Sequence, residues 1–196
     1  MASTTRGRPR SFDRDAALDK AIRLFWRYGY EATSVRDLTE ELGIGAPSLY
    51  NTFGDKRRLF AEAIRVYDRE YGGFIEAALA EEPTARQAAA RMFAEAPARY
   101  TRPGLPAGCL VVTGDAGTAD EDVAARLRRM REAKVDAVAA KIRADIASGM
   151  LPAGTDARAL ARYTMAMLSG LAQAARDGVP RTELERVARV ALRAWP

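Results

Sequence analysis

Residues 34–60 read Ser-Val-Arg-Asp-Leu-Thr-Glu-Glu-Leu-Gly-Ile-Gly-Ala-Pro-Ser-Leu-Tyr-Asn-Thr-Phe-Gly-Asp-Lys-Arg-Arg-Leu-Phe, and two short helical patterns meet there at Leu42-Gly43-Ile44-Gly45. Such punctuation marks a helix-turn-helix. Ser34 and Asp37 have the spacing of a capping box, in which two free amides of a helix start are satisfied reciprocally. Val35, Leu38 and Leu42 then recur at three and four residues, which gives the helix one apolar face. Gly43 can turn the chain at positive φ without a Cβ clash. The second helix is predicted over about Ala46 to Thr52, with Leu49 and Phe53 turned inward. Ser48, Tyr50 and Asn51 fall on its other face, polar groups short enough to meet phosphates or base edges.

On the N-terminal side, Asp13 is placed to cap a helix whose Leu18, Ile22, Phe25 and Trp26 face one way and which stops at Gly29. On the other side, Asp55 opens what reads as one long helix to Glu82-Pro83, with Leu59, Phe60, Ala63, Ile64, Tyr67, Tyr71 and Phe74 on its inner face. That helix would join the head to the rest of the chain. Thr84 and Gln87 form a second capping box, and its helix ends before the irregular stretch 102–108. Leu110 to Thr113 fits strand or helix by pattern and is predicted as a short helix, because every long segment has helical periodicity. Asp120, Glu121 and Asp122 suit a helix start, with that helix running to Gly149. Asp156 opens the next, ended by Gly178, and Pro180 begins the last. The prediction is an all-α chain of nine helices. It divides into a basic arm at 1–10, a helix-turn-helix domain at 11–56 and a helical effector-binding and dimerisation domain at 57–196.

The chain has 196 residues and a formal net charge of +5. Arg6, Arg8 and Arg10 place three cations and no acid in the first ten residues, whereas charges beyond residue 58 nearly balance. A basic arm leading into a helix-turn-helix suits a polyanionic duplex. The chain has no histidine and one cysteine, Cys109. Ser-His and Cys-His catalysis and most zinc chemistry are thereby excluded, so no enzyme, metal site or cofactor is expected. A single cysteine permits no disulfide within the chain, which favours a reducing compartment. No apolar run has the length of a signal peptide core or a membrane span. A cytoplasmic protein without a membrane partner is expected.

Phe25, Gly29, Thr33, Val35, Leu38, Gly43, Ile44, Leu49, Tyr50, Phe53, Lys56 and Leu59 together resemble the TetR family of transcriptional regulators. The resemblance covers about residues 12–65 and rests on the Leu-Tyr-x-x-Phe-x-x-Lys run that follows the turn. Further on, only helix number and length and a Gly-Cys-Leu element at Gly108 to Leu110 match. Ala46-Pro47 departs from the small residue and Gly that open many recognition helices, and proline is well tolerated at that point. The resemblance implies a repressor that binds double-stranded operator DNA as a homodimer and is released by a small-molecule or thiol-reactive effector. An effector-independent architectural DNA binder or activator is the alternative.

The resemblance implies phosphate contacts from Tyr50 and Lys56, donors suited to that task. Thr33 and Ser34 start a helix whose amides and dipole attract a phosphate, although capping alone accounts for them. Arg36, Gly45, Ser48 and Asn51 are candidates for bases or the adjoining backbone. Arg6 and Arg8 fit a groove-following arm or a solubilising tail. Tyr67, Tyr71, Phe93, Tyr100, Met130, Tyr163 and Met167 are candidate effector-cavity residues, with core packing the competing reading. Cys109 follows a Gly-rich turn where helix-start amides are placed to lower its pKa, and it is either a sensor or a small buried hydrophobe. The family's dimer forms through the last two helices. That implies an interface including Met165, Leu168, Gly170, Leu171, Ala172, Leu184, Val187 and Val190, residues that suit packing within the chain equally well.

Overall fold

The computed structural model describes residues 13–196, so Arg6 and Arg8 lie outside the described residues. Among those residues the protein is all-helical, with ten α-helices, one π-helical turn and no strand. Helix α1 (Arg14–Tyr28) starts at Asp13, whose carboxylate accepts the Asp15 and Ala16 amides, and ends at Gly29 with φ 81°. In α2 (Val35–Leu42) both halves of the Ser34–Asp37 box are made, and Gly43 closes the helix in the left-handed region at φ 69°. Pro47 sits in the first turn of α3 (Ala46–Phe53). Asp55 caps α4 (Lys56–Tyr67) through the Arg58 amide. Phe25, Leu38, Leu49, Leu59 and Phe60 are fully covered where these helices meet, with the Phe25 and Phe60 rings edge to face at 5.0 Å. Truncating either phenylalanine to alanine would cost about 3–5 kcal/mol.

The single long helix expected between Asp55 and Glu82 is broken. After α4 the chain widens into a π-helical turn at Asp68–Gly72, then turns at Gly73 into α5 (Phe74–Glu81). Two adjacent glycines explain the break, because each weakens helix propagation and neither position has room for a side chain. A Cβ at Gly72 would come 2.8 Å from Asp68 Oδ1, and one at Gly73 would come 3.0 Å from the Arg69 carbonyl. Periodicity alone carries through such a pair, so the count of nine missed one helix.

The remainder comprises α6 (Ala85–Tyr100), the single turn α7 (Leu110–Thr113), α8 (Glu121–Ala147), α9 (Ala157–Arg176) and α10 (Arg181–Leu192). Alanines 85, 88, 89 and 96 let α6 lie close to its neighbours in a core shared with Leu168, Leu171, Leu184 and Trp195. The head's apolar cluster does not stop at α4. It continues through Leu110 and Val111 of α7 and Val123 and Leu127 of α8, so α7 lies where the two clusters adjoin. Among the described residues no helix is long and apolar enough to cross a membrane.

Candidate DNA interface and internal cavity

Packing of Leu49 and Phe53 into the head leaves Ser48, Tyr50 and Asn51 on the outer side of α3, with Tyr50 49% exposed. Gly45 is exposed at the N-cap of that helix and Arg36 is exposed on α2 beside it in sequence, paired with Glu40 at 2.8 Å. The next helix opens with Lys56, Arg57 and Arg58 and no acid in its first turn. Cations there oppose the helix dipole, an arrangement that an external anion would relieve. The Lys56 ammonium lies 4.2 Å from the centre of the Tyr30 ring. Partial burial lowers its pKa, opposed by Glu31, Asp120 and Asp37. Arg58 is more exposed, and among the described residues its ionic neighbour is Asp55 alone, at 4.0 Å. Its place in the sequence motif had not marked it, because any exposed arginine on a helix start reads as solvated charge.

Thr33 differs from the expectation. It is fully buried, and its hydroxyl donates to the Gly29 carbonyl at 2.7 Å. Its side chain therefore ties the loop to the end of α1 and is withdrawn from any phosphate. The neighbouring Ser34 remains exposed, with its hydroxyl shared between the Asp37 amide and carboxylate. The Ser34 hydroxyl first, and then the Ser34 amide, donate to the Asp37 carboxylate and hold it below its ordinary pKa.

A polar seam joins this head to the helices behind it. The Tyr30 amide donates to the Gly114 carbonyl at 2.8 Å, directly after α7. From the last turn of α9, Arg176 donates to the Arg27 carbonyl at 2.9 Å, the Trp26 carbonyl at 3.3 Å and the Thr113 hydroxyl at 3.2 Å. A guanidinium thus satisfies free carbonyls at the C-terminus of α1, where the dipole favours positive charge. On α4, Arg57 pairs with Asp120 at 2.9 Å and with Asp122 at the start of α8. Sequence shows no sign of this seam, since its partners lie 63 to 150 residues apart.

Behind α7 is a cavity of about 180 Å³, bounded by α5 to α9 together with the π-helical turn. Phe74, Ile75, Val112, Val135, Met165 and Leu168 give it apolar walls. Lys134 lines it and bonds to Glu76, with its ammonium also 3.0 Å from Asp68. Burial works against that charge, but Glu76 and Asp68 outweigh it and raise the pKa. Arg131 holds Asp115 through two bonds of 2.8 and 3.1 Å, and Arg162 holds Glu132 through bonds of 2.6 and 2.8 Å.

Of the expected cavity residues, Tyr100 and Cys109 line this space and the others do not. Tyr67 lies just behind, with its ring edge-on to Trp26 and its hydroxyl engaged by Cys109. Tyr71 belongs to the seam, donating to Asp19 at 3.2 Å. Tyr163 donates to the Ala191 carbonyl at 2.9 Å and so joins α9 to α10. Met130 packs against the head cluster and Met167 against the other, while Phe93 is buried in the core of α6. The Cys109 thiol also departs from expectation. Burial pushes its pKa up, and the Tyr67 hydroxyl and the Val112 and Val111 amides do not overcome that.

The expected dimer residues divide in the same way. Leu168, Leu171, Ala172 and Leu184 are buried in the chain's own core, and Met165 turns toward the cavity. Gly170 is exposed, as are Val187 at 39% and Val190 at 60%. The expected residues come from both faces of α9 and α10, and only one side of each helix is left uncovered by the chain itself.

A two-helix reading head with cations at the start of the following helix, set on a helical body with an internal cavity, defines a helix-turn-helix regulator. Residues 17–63 match the bacterial regulatory proteins of the TetR family, and residues 83–191 match the tetracyclin repressor-like C-terminal domain. The chain belongs to the TetR family and is a transcriptional regulator, not an enzyme. It is 35% identical to the HTH-type transcriptional repressor ComR of Escherichia coli K12 over 98% of this chain and 93% of that one. It is also 35% identical to the repressor BdcR of the same organism, over 55% of each chain. Among solved structures, a cysteine mutant of the TetR-family regulator CifR, complexed with 26-bp double-strand operator DNA, is 42% identical. It superposes with a TM-score of 0.90 over 97% of this chain and all of that one.

Proposed function

We propose that the protein is a cytoplasmic homodimeric repressor that binds a near-palindromic operator and is released by an effector occupying the cavity behind α7. The observation that carries the first part is the outward face of α3 beside an α4 start crowded with cations. Phosphate contacts from Tyr50, Lys56, Arg58 and the Ser34 region would supply affinity, and Arg36, Gly45, Ser48 and Asn51 would supply base preference. The operator complex of CifR supports this reading. Two heads would meet successive major grooves, as in other dimeric helix-turn-helix proteins.

The effector part rests on the cavity and the seam. Val111 and Val112 of α7 line the cavity, and the Gly114 carbonyl immediately after α7 takes the head's Tyr30 amide. A ligand that displaces α7 would therefore move the anchor of α1 as well as α4. The functional division follows: arm 1–10, reading head 11–56, and effector-binding and dimerising body 57–196. An effector-independent DNA binder has no use for a cavity at this place, which favours the regulated reading. Selection from random duplexes tests the whole proposal. A palindromic consensus is the expected outcome, and binding without any sequence preference would overturn it.

A further inference from the structure

Tyr100 lines the 180 Å³ cavity with a hydroxyl that no other described residue bonds, and the residue is 5% exposed. The rest of the residue is well anchored. Its carbonyl accepts the Gly108 amide at 2.9 Å, and its ring meets Phe74 edge to face at 6.1 Å. The contrast with Tyr67, whose hydroxyl is engaged by Cys109, shows that a neighbouring phenol in the same core is provided for. Among the described residues the enclosed polar side-chain atoms without a hydrogen-bond partner are Trp26 Nε1, Asp68 Oδ1 and Trp195 Nε1, so the Tyr100 hydroxyl is not sealed in and can donate to a molecule in the cavity. Burial, followed by the nearby Cys109 thiol, pushes the Tyr100 phenol well above its ordinary pKa, so it stays an O–H donor. Ser169 adds a second hydroxyl to the lining.

We infer that the cavity takes a small, uncharged, mainly apolar molecule carrying one hydrogen-bond acceptor, a ketone-like oxygen, which receives the Tyr100 hydroxyl. This rests on the reading of the cavity as the effector site and adds the chemistry of its ligand. Size sets one bound. A dry cavity of about 150 Å³ holds benzene, so 180 Å³ suits a six-membered ring with one substituent. Charge sets the other. Lys134 is answered by Glu76 and Asp68, Arg131 by Asp115 and Arg162 by Glu132, while Arg128 is exposed to solvent at the rim. An ion entering would lose its water and find no free counter-charge inside.

Cyclohexanone, methylenecyclohexane and cyclohexanecarboxylate share a ring and differ at one group, and none of them alkylates thiols. In calorimetric titrations of the full chain, cyclohexanone should bind at least tenfold more tightly than either of the others. Tyr100→Phe keeps the ring and removes the donor. It should erase the ketone's advantage while leaving methylenecyclohexane binding within twofold. Equal affinity for the carboxylate, no binding of any probe, or a ketone preference that survives Tyr100→Phe would each overturn the inference. The comparison of the three probes in the wild type stands alone if the variant does not fold. Adding cyclohexanone to a complex with the selected duplex then separates the two readings. Ketone binding that leaves the duplex bound overturns the effector role but not the ligand chemistry, whereas binding of duplex but of no probe overturns only the chemistry.

Discussion

The cations that open α4 and those that tie the helices of the body together are held in opposite ways. In the body, Arg91 meets Glu81, Glu82 and Glu95, and Glu132 is shared between Arg158 and Arg162. Even buried Lys134 has two carboxylates. At the start of α4, Lys56 faces an aromatic ring and Arg58 has a single carboxylate at the limit of an ion pair. Those body cations are matched within the chain, whereas Lys56 and Arg58 at the start of α4 are left for an anion outside. Apolar surface shows the reverse. The head buries its large aliphatic side chains, while Val187 and Val190 on the last helix stand in water. One region thus offers cations to a polyanion, and the other offers an apolar strip to a partner.

The largest effect should come from breaking the apolar half of this contrast. Val187→Asp with Val190→Asp places two charges where a partner copy would bury them, and both sites lie outside the chain's own buried core. Light scattering should show a monomer, and operator affinity should fall by about 10²-fold or more as two linked heads become one. A double variant that remains dimeric moves the interface elsewhere, and a wild type that is monomeric at micromolar concentration removes the dimer altogether.

Removing the free cations should do less. Lys56→Ala with Arg58→Ala is expected to weaken binding to every duplex by about tenfold or more. It should also lower the slope of log affinity against log salt by about 2, roughly one for each lost phosphate contact. Anisotropy titrations over a salt series read both. An unchanged slope would mean that these cations are ordinary solvated charge. Asn51→Ala should act differently, costing about 1–3 kcal/mol at particular operator positions and little on unrelated duplex. A uniform loss would place Asn51 on the backbone instead.

The same two regions differ in how far sequence revealed them. The head was legible residue by residue because its information is local. Caps, turn glycines and apolar spacing all lie within a few positions of one another, and Ser34, Gly43, Leu49 and Phe53 do what their spacing predicts. Thr33 was the exception, since a hydroxyl near a helix start can face outward or back, and a bond to Gly29 decides it. The helices of the body were legible too, except at Gly72-Gly73. Their mutual arrangement was not. Tyr163 and Tyr100 look alike in sequence, yet one hydroxyl is tied to Ala191 and the other residue lines the cavity. A cavity arises where several helices fail to fill the space between them, and helical periodicity records only which side of each faces inward.

The smallest and slowest effect should be at Cys109, where the two regions adjoin. Its thiol lines the cavity and lies at the start of α7, so a covalent group there would add bulk beside the anchor of α1. Burial, however, raises its pKa, which makes the thiolate scarcer at neutral pH than for a free cysteine. The sign follows. The folded state holds this proton more tightly than the unfolded one, so the associated stability is present below the ordinary thiol range and is lost as pH rises through the raised value. Alkylation of the native protein by iodoacetamide should therefore be slower than that of free cysteine. It should climb about tenfold per pH unit through the neutral range without levelling off. If the rate instead levels off near neutral pH, the thiol is activated and the sensor reading gains. Duplex release by an electrophile, compared in the wild type and Cys109→Ser, completes the test. A lone thiol has no resolving partner in its own chain, so the modified state would persist until an external thiol removed a reversible cap. Equal responses in the two proteins would leave Cys109 as packing and return release to noncovalent ligands of the cavity.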